Sequence, residues 1–448
     1  MHPGLSKYFV HRPYYLLRDR SFSDLSGEFE HTQSLTPGRL EERQWNRLKR
    51  ILAHAYQTIP FYSRRFDEHG VAPDQVQAPA DLLNLPVLTK EEIRENLDEL
   101  VCPSAAVRGL PRQTSGSTGS PLRLLKDSTC LRVMDSIMYR DHGWFGIEMG
   151  QRQARFWGSP ASRLGRVKSR LTDLLANRIR FSPFDISDEA CDRFVGAMLR
   201  FRPHYVYGYA QTISRFSDYV LGHDVDLGPL HLKAAIVTGE VVRDEQLRNI
   251  RAALHCPVSN EYGCTEVGIV AMGCPSGRMH LMIENLFIEF VKDNKHAEPR
   301  DEGEIVLTEL YGELMPLIRY RVGDMGAAEE GRCECGRGLP LLHRIVGRAD
   351  EFIVCPGGRE VDPIVFEYIL KEMPARLGKV TKFRIVQEPD FRLTIDLCYL
   401  GARPDRLIPA LREQLESYIG SGFDIEFRLR DDIPPEASGK LRCFISKI

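Results

Sequence analysis

Gln113-Thr-Ser-Gly-Ser-Thr-Gly-Ser-Pro121 is the densest chemical signal in the sequence. Gly116 and Gly119 permit backbone conformations closed to other residues. Thr114, Ser115, Ser117 and Thr118 add hydroxyl donors. Backbone N–H groups in such a turn can surround phosphate oxygens. The stretch is not a Walker A loop, because no Lys-Ser/Thr pair follows at the required spacing and Lys126 lies too far along. By composition alone it also reads as a flexible Ser/Gly linker. Its shortness, and the chemistry further down the chain, favour a phosphate loop.

Outward from this loop, from about residue 110 to 345, short apolar runs alternate with helical segments. ARFWG, HYVYGYA, LKAAIVTGE and GEIVLTEL are such runs. The alternation predicts an α/β domain with substantial sheet. The first 110 residues read as mainly helical. Trp45, Leu48, Ile51, Leu52 and Ala55 recur at helical spacing, and Pro60 should stop or bend that helix. Thr89 followed by Glu92 has the spacing of a capping box. Beyond GRADEFIV the texture changes. KFRIVQE, RLTIDLCYL and DIEFRLRDDI read as strands, and VFEYILKEM and RLIPALREQLESYI as amphipathic helices. The expected organisation is a large domain over 1–349 and a small α+β domain over 350–448.

The 448 residues carry 60 Lys plus Arg against 62 Asp plus Glu, a net charge of -2. That balance argues against a nucleic-acid-binding or polybasic membrane protein, although a local patch is compatible with it. The N-terminal apolar residues are interrupted by Lys7, His11, Arg12 and Arg18, so no signal-peptide core is read there. No run approaches the roughly 18 apolar residues of a membrane-spanning helix. The expected location is cytoplasmic.

Four further motifs follow the loop in order: Glu261-Tyr-Gly-Cys-Thr-Glu266, Tyr320-Arg-Val-Gly-Asp324, Gly347-Arg-Ala-Asp350, and Ser438-Gly-Lys440 with Arg442. Each is weak alone. Together with TSGSTGSP at 114–121 they resemble the ordered motifs of the adenylate-forming enzymes, the superfamily of acyl-CoA synthetases, adenylation domains and luciferases. LKRILAHAYQTIPFYSRRFDEHGV and DLLNLPVLTKEEIREN look like the N-terminal region of its phenylacetate–CoA ligase-like branch.

The resemblance implies a large multi-sheet adenylation domain and a smaller mobile lid. It implies attack of a carboxylate, by resemblance an aromatic one, on the α-phosphate of ATP, with loss of pyrophosphate. CoA then takes the acyl group and AMP leaves. Thr114, Ser115, Gly116, Ser117, Thr118 and Gly119 would hold the β- and γ-phosphates. Glu266 would ligate Mg²⁺, a hard cation that takes carboxylate oxygen. Thr265 would contact the α-phosphate. Tyr262, between Glu261 and Gly263, would pack on adenine. Gly239 and Glu240 would lie near adenine and the acyl pocket. Asp324 would accept from both ribose hydroxyls, and Arg348 would bind ribose or phosphate. Lys440 would approach the carboxylate and α-phosphate from the lid, with Asp350 as the hinge. For each residue, ordinary surface or loop chemistry is the alternative that the motif context outweighs.

The cysteines are unevenly spread. Of 11, Cys256, Cys264, Cys274, Cys333, Cys335 and Cys355 fall within one hundred-residue stretch. Cys274, His280, Cys333 and Cys335 make a Cys₃His set suited to tetrahedral, structural zinc. Buried free thiols and a satisfied loop histidine are the alternative. Some members of the phenylacetate–CoA ligase-like branch resemble this pattern.

A second reading keeps the adenylation chemistry and passes the acyl group to a carrier protein, amine or alcohol in a biosynthetic pathway. RFWGSPASRLGRVKSR departs from the phenylacetate ligase pattern, and Arg155, Arg163, Arg166, Lys168 and Arg170 read as solvated or as facing an anionic substrate. Tyr205, Tyr207 and Tyr209 read equally as pocket lining or core. No nucleic-acid or membrane partner is expected, and a homodimer is left open.

Overall fold

The computed structural model describes residues 3–6, 22–103, 109–113, 122–158, 163–183, 186–239, 242, 244–347, 353–356, 360–361, 366, 369, 379–401, 404–420, 422–433 and 444–447. The N-terminal part is helical, as its periodicity predicts: α1 (Phe22–Thr32), α2 (Pro37–Thr58), α3 (Pro60–Glu68) and α4 (Lys90–Glu95). Proline opens α2 and α3, where its missing N–H costs nothing. Pro60 therefore starts a new helix as well as ending the previous one. In α4, Glu92 donates its N–H to Thr89 Oγ1 and accepts the Thr89 N–H, closing the expected capping box. The apolar stripe of α2 buries Leu40, Leu48, Ile51, Leu52 and Ala55. Each Leu or Ile so buried contributes about 1.5–3 kcal/mol.

A short hairpin follows, β1 (Leu110–Gln113) and β2 (Arg123–Lys126). Gln113 pairs with Arg123, so the Ser/Gly stretch is the connection between these strands. Residues 114–121 themselves lie outside the described residues. Next come α5 (Ser128–Gly143), β3 (Gln153–Phe156), α6 (Arg163–Leu175), β4 (Arg178–Phe181), α7 (Asp188–Phe201), β5 (Tyr205–Tyr209), α8 (Ala210–Gly222), β6 (Ala234–Thr238) and α9 (Asp244–Leu254). The strands β7 (Val258–Cys264), β8 (Gly268–Gly273), β9 (Met279–Leu281), β10 (Leu286–Lys292), β11 (Lys295–His296), β12 (Gly303–Glu309), β13 (Tyr320–Glu329) and β14 (Leu341–Gly347) complete this part.

One twelve-stranded sheet runs β11-β10-β12-β13-β14-β9-β8-β7-β6-β5-β3-β4. From β4 to β7 neighbouring strands are parallel, and beyond β7 they are antiparallel. Covering helices make parallel strands apolar on both faces, and every residue of β6 is buried. One core packs α2 and α3 against the antiparallel half. Another lies under α7, α8 and α9 on the parallel half.

The C-terminal part has its own core and its own sheet, β19-β18-β17-β20. These strands are β17 (Lys379–Gln387), β18 (Arg392–Leu400), β19 (Asp424–Leu429) and β20 (Phe444–Ser446), preceded by the pair β15 (Ile353–Val354) and β16 (Glu360–Val361). Helix α10 (Pro404–Ile419) sits between β18 and β19. The three predicted strands and the second predicted helix are present, and β20 is a fourth strand. Of VFEYILKEM only Phe366 and Ile369 are described, both buried. Among the described residues no helix is long and apolar enough to cross a membrane.

Candidate functional site

The EYGCTE and YRVGD motifs meet although they lie far apart in sequence. Strand β7 carries Glu261, Tyr262 and Gly263, and the turn after it presents Thr265, exposed, and Glu266, buried. Gly263 is required by space, since a Cβ there would stand 2.5 Å from the Gly268 carbonyl oxygen of β8. Strand β13 begins with Tyr320 and reaches Asp324 just after Gly323, whose φ of +98° favours glycine. Two tyrosine–carboxylate bonds tie the motifs together. Tyr262 Oη donates to Asp324 Oδ2 at 2.9 Å, and Tyr320 Oη donates to Glu266 Oε1 at 2.8 Å. Sequence reasoning gave Tyr320 no role. Its signal was its place at the head of the YRVGD motif.

Gly239 closes β6 with φ +82°, against the ring of Tyr209. Tyr205, Tyr207 and Tyr209 share one face of β5. The Trp157 ring stacks on Tyr209 at 4.3 Å and on Tyr207 at 5.8 Å between centroids. Tyr207 Oη donates to Glu261 Oε1 at 2.9 Å, and His142 Nε2 of α5 lies 3.8 Å from Glu261 Oε2. Burial first, and then the nearby Glu261 charge, push the Tyr207 phenol well above its ordinary value. This face is thus aromatic with a carboxylate at its base. Arg155 stacks over Trp157 on the same face.

Lys126, the basic residue nearest the Ser/Gly connection on its C-terminal side after Arg123, turns inward. Its Nζ is 2.6 Å from both carboxylate oxygens of Glu309. Burial works against its charge, but Glu309 outweighs this and raises its pKa. Removing either partner of such a pair costs about 3–5 kcal/mol, so its role is to fix β2 to β12. Asp127 adds to this by accepting the N–H groups of Cys130, Glu313 and Leu314. Thr114, Ser115, Gly116, Ser117, Thr118, Gly119, Glu240, Arg348, Asp350 and Lys440 lie outside the described residues.

Cys274, His280, Cys333 and Cys335 converge, with their ligand atoms all within 4.8 Å of one another. Cys274 opens a tight turn closed by the Gly277 N–H, and Cys333 another closed by the Gly336 N–H. Pairing of β9 with β14 brings the two turns together, His280 lying opposite Leu341. Cys274 and Cys333 Sγ are 3.6 Å apart, and Cys335 Sγ is 3.2 Å from His280 Nε2. Tetrahedral zinc at about 2.3 Å from each sulfur would set them roughly 3.8 Å apart. His280 Nδ1 is 3.0 Å from the Leu339 carbonyl, which selects the tautomer with Nε2 free of a proton. Burial lowers the His280 pKa, in the direction that favours the neutral ring. Burial raises the Cys335 thiol, but the Arg337 N–H groups outweigh it and hold the thiol below its usual range. Burial pushes Cys333 up to about 11. The four side chains fit a zinc ion by type, spacing and tautomer.

The fold is shared with 2-hydroxyisobutyryl-CoA ligase solved with 2-HIB-AMP and CoA in the thioesterification state. The TM-score is 0.64 at 18% identity, over 93% of this chain and 91% of that one. The same ligase in the postadenylation state gives 0.62. No family model matches the chain. Phenylacetate-coenzyme A ligase of Thermus thermophilus is 27% identical over 443 residues, covering 92% of this chain and 97% of the relative. The enzyme of that name from Escherichia coli is 25% identical over 90% of this chain and 94% of its own length. Protein CapK of Staphylococcus aureus is 22% identical over 91% and 90%. Over about nine-tenths of its length the chain is thus similar to phenylacetate-coenzyme A ligases, at 25–27% identity.

Proposed function

We propose that this protein activates a carboxylic acid as its acyl-adenylate and transfers the acyl group to CoA. The observation that carries this is the joining of Tyr262 to Asp324 and of Tyr320 to Glu266. These bonds hold two carboxylates of the superfamily motifs in fixed places, as a preorganised polar site requires. In the first step a carboxylate oxygen attacks the α-phosphorus and the bond to pyrophosphate breaks. In the second the CoA thiol loses its proton, its sulfur attacks the acyl carbonyl, and AMP leaves.

Residues 114–119 would hold the β- and γ-phosphates, Thr265 would meet the α-phosphate, and Tyr262 would pack on adenine. Glu266 would hold Mg²⁺, which neutralises phosphate charge when bound. A carboxylate oxygen fixed by Tyr320 suits that ion. Arg348 binds ribose or phosphate, and the aromatic face of β5 takes the acid. The unit after residue 349 is the lid, turning at Asp350 and carrying Lys440. Its separate sheet and core support an independent body. Cys274, His280, Cys333 and Cys335 would hold a structural zinc.

An ATP–pyrophosphate exchange screen over carboxylic acids, followed by an acceptor test with and without CoA, decides the reading. Exchange with an acid but no CoA thioester would assign a carrier-protein, amine or alcohol acceptor. Asp324→Ala is expected to raise the KM for ATP about tenfold in the exchange assay with a smaller change in kcat, because its ribose contacts act in ground and transition states alike. An unchanged KM would remove Asp324 from the nucleotide site.

A further inference from the structure

Helix α6 is inside out. It lies between β3 and β4, where a crossover helix ordinarily buries its apolar stripe on the sheet. Its inward positions are instead Gly165 and Ser169, half-buried, and Asp173, buried. The Asp173 carboxylate accepts from Arg180 Nε at 2.8 Å and Nη2 at 2.9 Å, with Arg178 Nε 3.2 Å away. Ion pairs thus fasten the helix to β4, the edge strand of the large sheet. Leu164, Val167, Leu171, Leu174 and Leu175 point the opposite way, into solvent, with Leu164 86% and Leu174 66% exposed. Elsewhere the apolar stripes of α2 and α7 are turned inward.

The charges around the stripe restrict what covers it. At 100° per residue, Lys168 borders one flank of the stripe and Arg170 the other, and both are exposed. Arg166, also exposed, lies further round. The one acidic residue of α6, Asp173, faces inward. A symmetric pairing with a second copy would set Lys168 and Arg170 against the same cations of its mate, which repels. The stripe is a ridge at the sheet edge rather than a groove. An aliphatic ridge flanked by cations matches the interface of an anionic bilayer, where acyl chains lie below and phosphates beside.

We propose that α6 is a peripheral membrane anchor. It lies in the plane of an anionic bilayer with Leu164, Val167, Leu171 and Leu174 among the acyl chains and Lys168 and Arg170 at the lipid phosphates. This proposal is independent of the acid and acceptor assigned above. The large sheet then stands edge-on to the bilayer.

The test is flotation of the full chain with vesicles of phosphatidylcholine containing about one third phosphatidylglycerol, and with phosphatidylcholine alone. The expected result is binding to the anionic vesicles that weakens in high salt and falls about tenfold or more on neutral ones. Leu171→Ser with Leu174→Ser should lose binding while keeping the melting temperature, since both side chains are exposed. Lys168→Glu with Arg170→Glu should also lose it, leaving the apolar stripe intact. No flotation of the wild-type chain on anionic vesicles overturns the proposal, including when α6 is found to bind an acidic protein. A dimer in light scattering that the double serine variant converts to monomer overturns it too, by assigning the ridge to a second copy.

Discussion

Lys440→Ala is expected to slow adenylate formation about a thousandfold and to leave thiolysis of a supplied acyl-adenylate near the native rate. The first step brings a carboxylate against an α-phosphate, and negative charge gathers on the phosphate oxygens. One positioned cation in a water-poor site is worth about 10²–10³ in rate, and a Lys point charge meets that need. The second step develops charge at the acyl carbonyl, where the proposed turn of the lid would have carried Lys440 away. The split between half-reactions is the useful readout. A merely destabilised variant would lose both, and native-rate adenylation would end the assignment. Lys440 lies outside the described residues, so its case rests on Ser438-Gly439-Lys440 and on this chemistry.

The second large effect is on stability. The purified chain is expected to hold one zinc ion, and Cys333→Ser should lose it. Closed sites of this kind contribute their binding free energy to folding. The Cys274 and Cys333 turns contain few apolar side chains of their own, and their small cluster holds Leu341 with Trp144 packed alongside. Without the ion, the pairing of β9 with β14 would be held by only two residue pairs at that end of the sheet. A fall of at least about 5 °C in the melting temperature is expected, with the same loss on chelation of the native chain. Metal analysis and a thermal melt check this. Absence of stoichiometric zinc, with all four thiol and imidazole positions open to modification, would return these residues to ordinary buried chemistry.

The sequence was most legible where a local rule decides. The Thr89–Glu92 capping box, the stripe of α2 and the strand runs AAIVT and GEIVLTE all stand as read. Each depends on spacing within one element. Three features depended on tertiary approach, which spacing alone does not decide. Tyr320 reaches Glu266 across 54 positions, and no spacing rule reports such a contact. The Cys274, His280, Cys333 and Cys335 set was legible by residue type, and the β9–β14 register supplies the approach that its long separation in sequence left open. The periodicity of α6 announces an amphipathic helix, but not which face the protein takes. That choice was made by Arg178 and Arg180, which draw Asp173 inward and turn the leucines out.

The account rests on a carboxylate oxygen becoming bonded to the α-phosphorus of ATP. Turnover of an accepted acid labelled with heavy oxygen in both carboxylate positions tests this directly, with AMP and phosphate products read by mass. The account predicts one labelled oxygen in each AMP released and none in the pyrophosphate. Unlabelled AMP, or label appearing in orthophosphate, would contradict it.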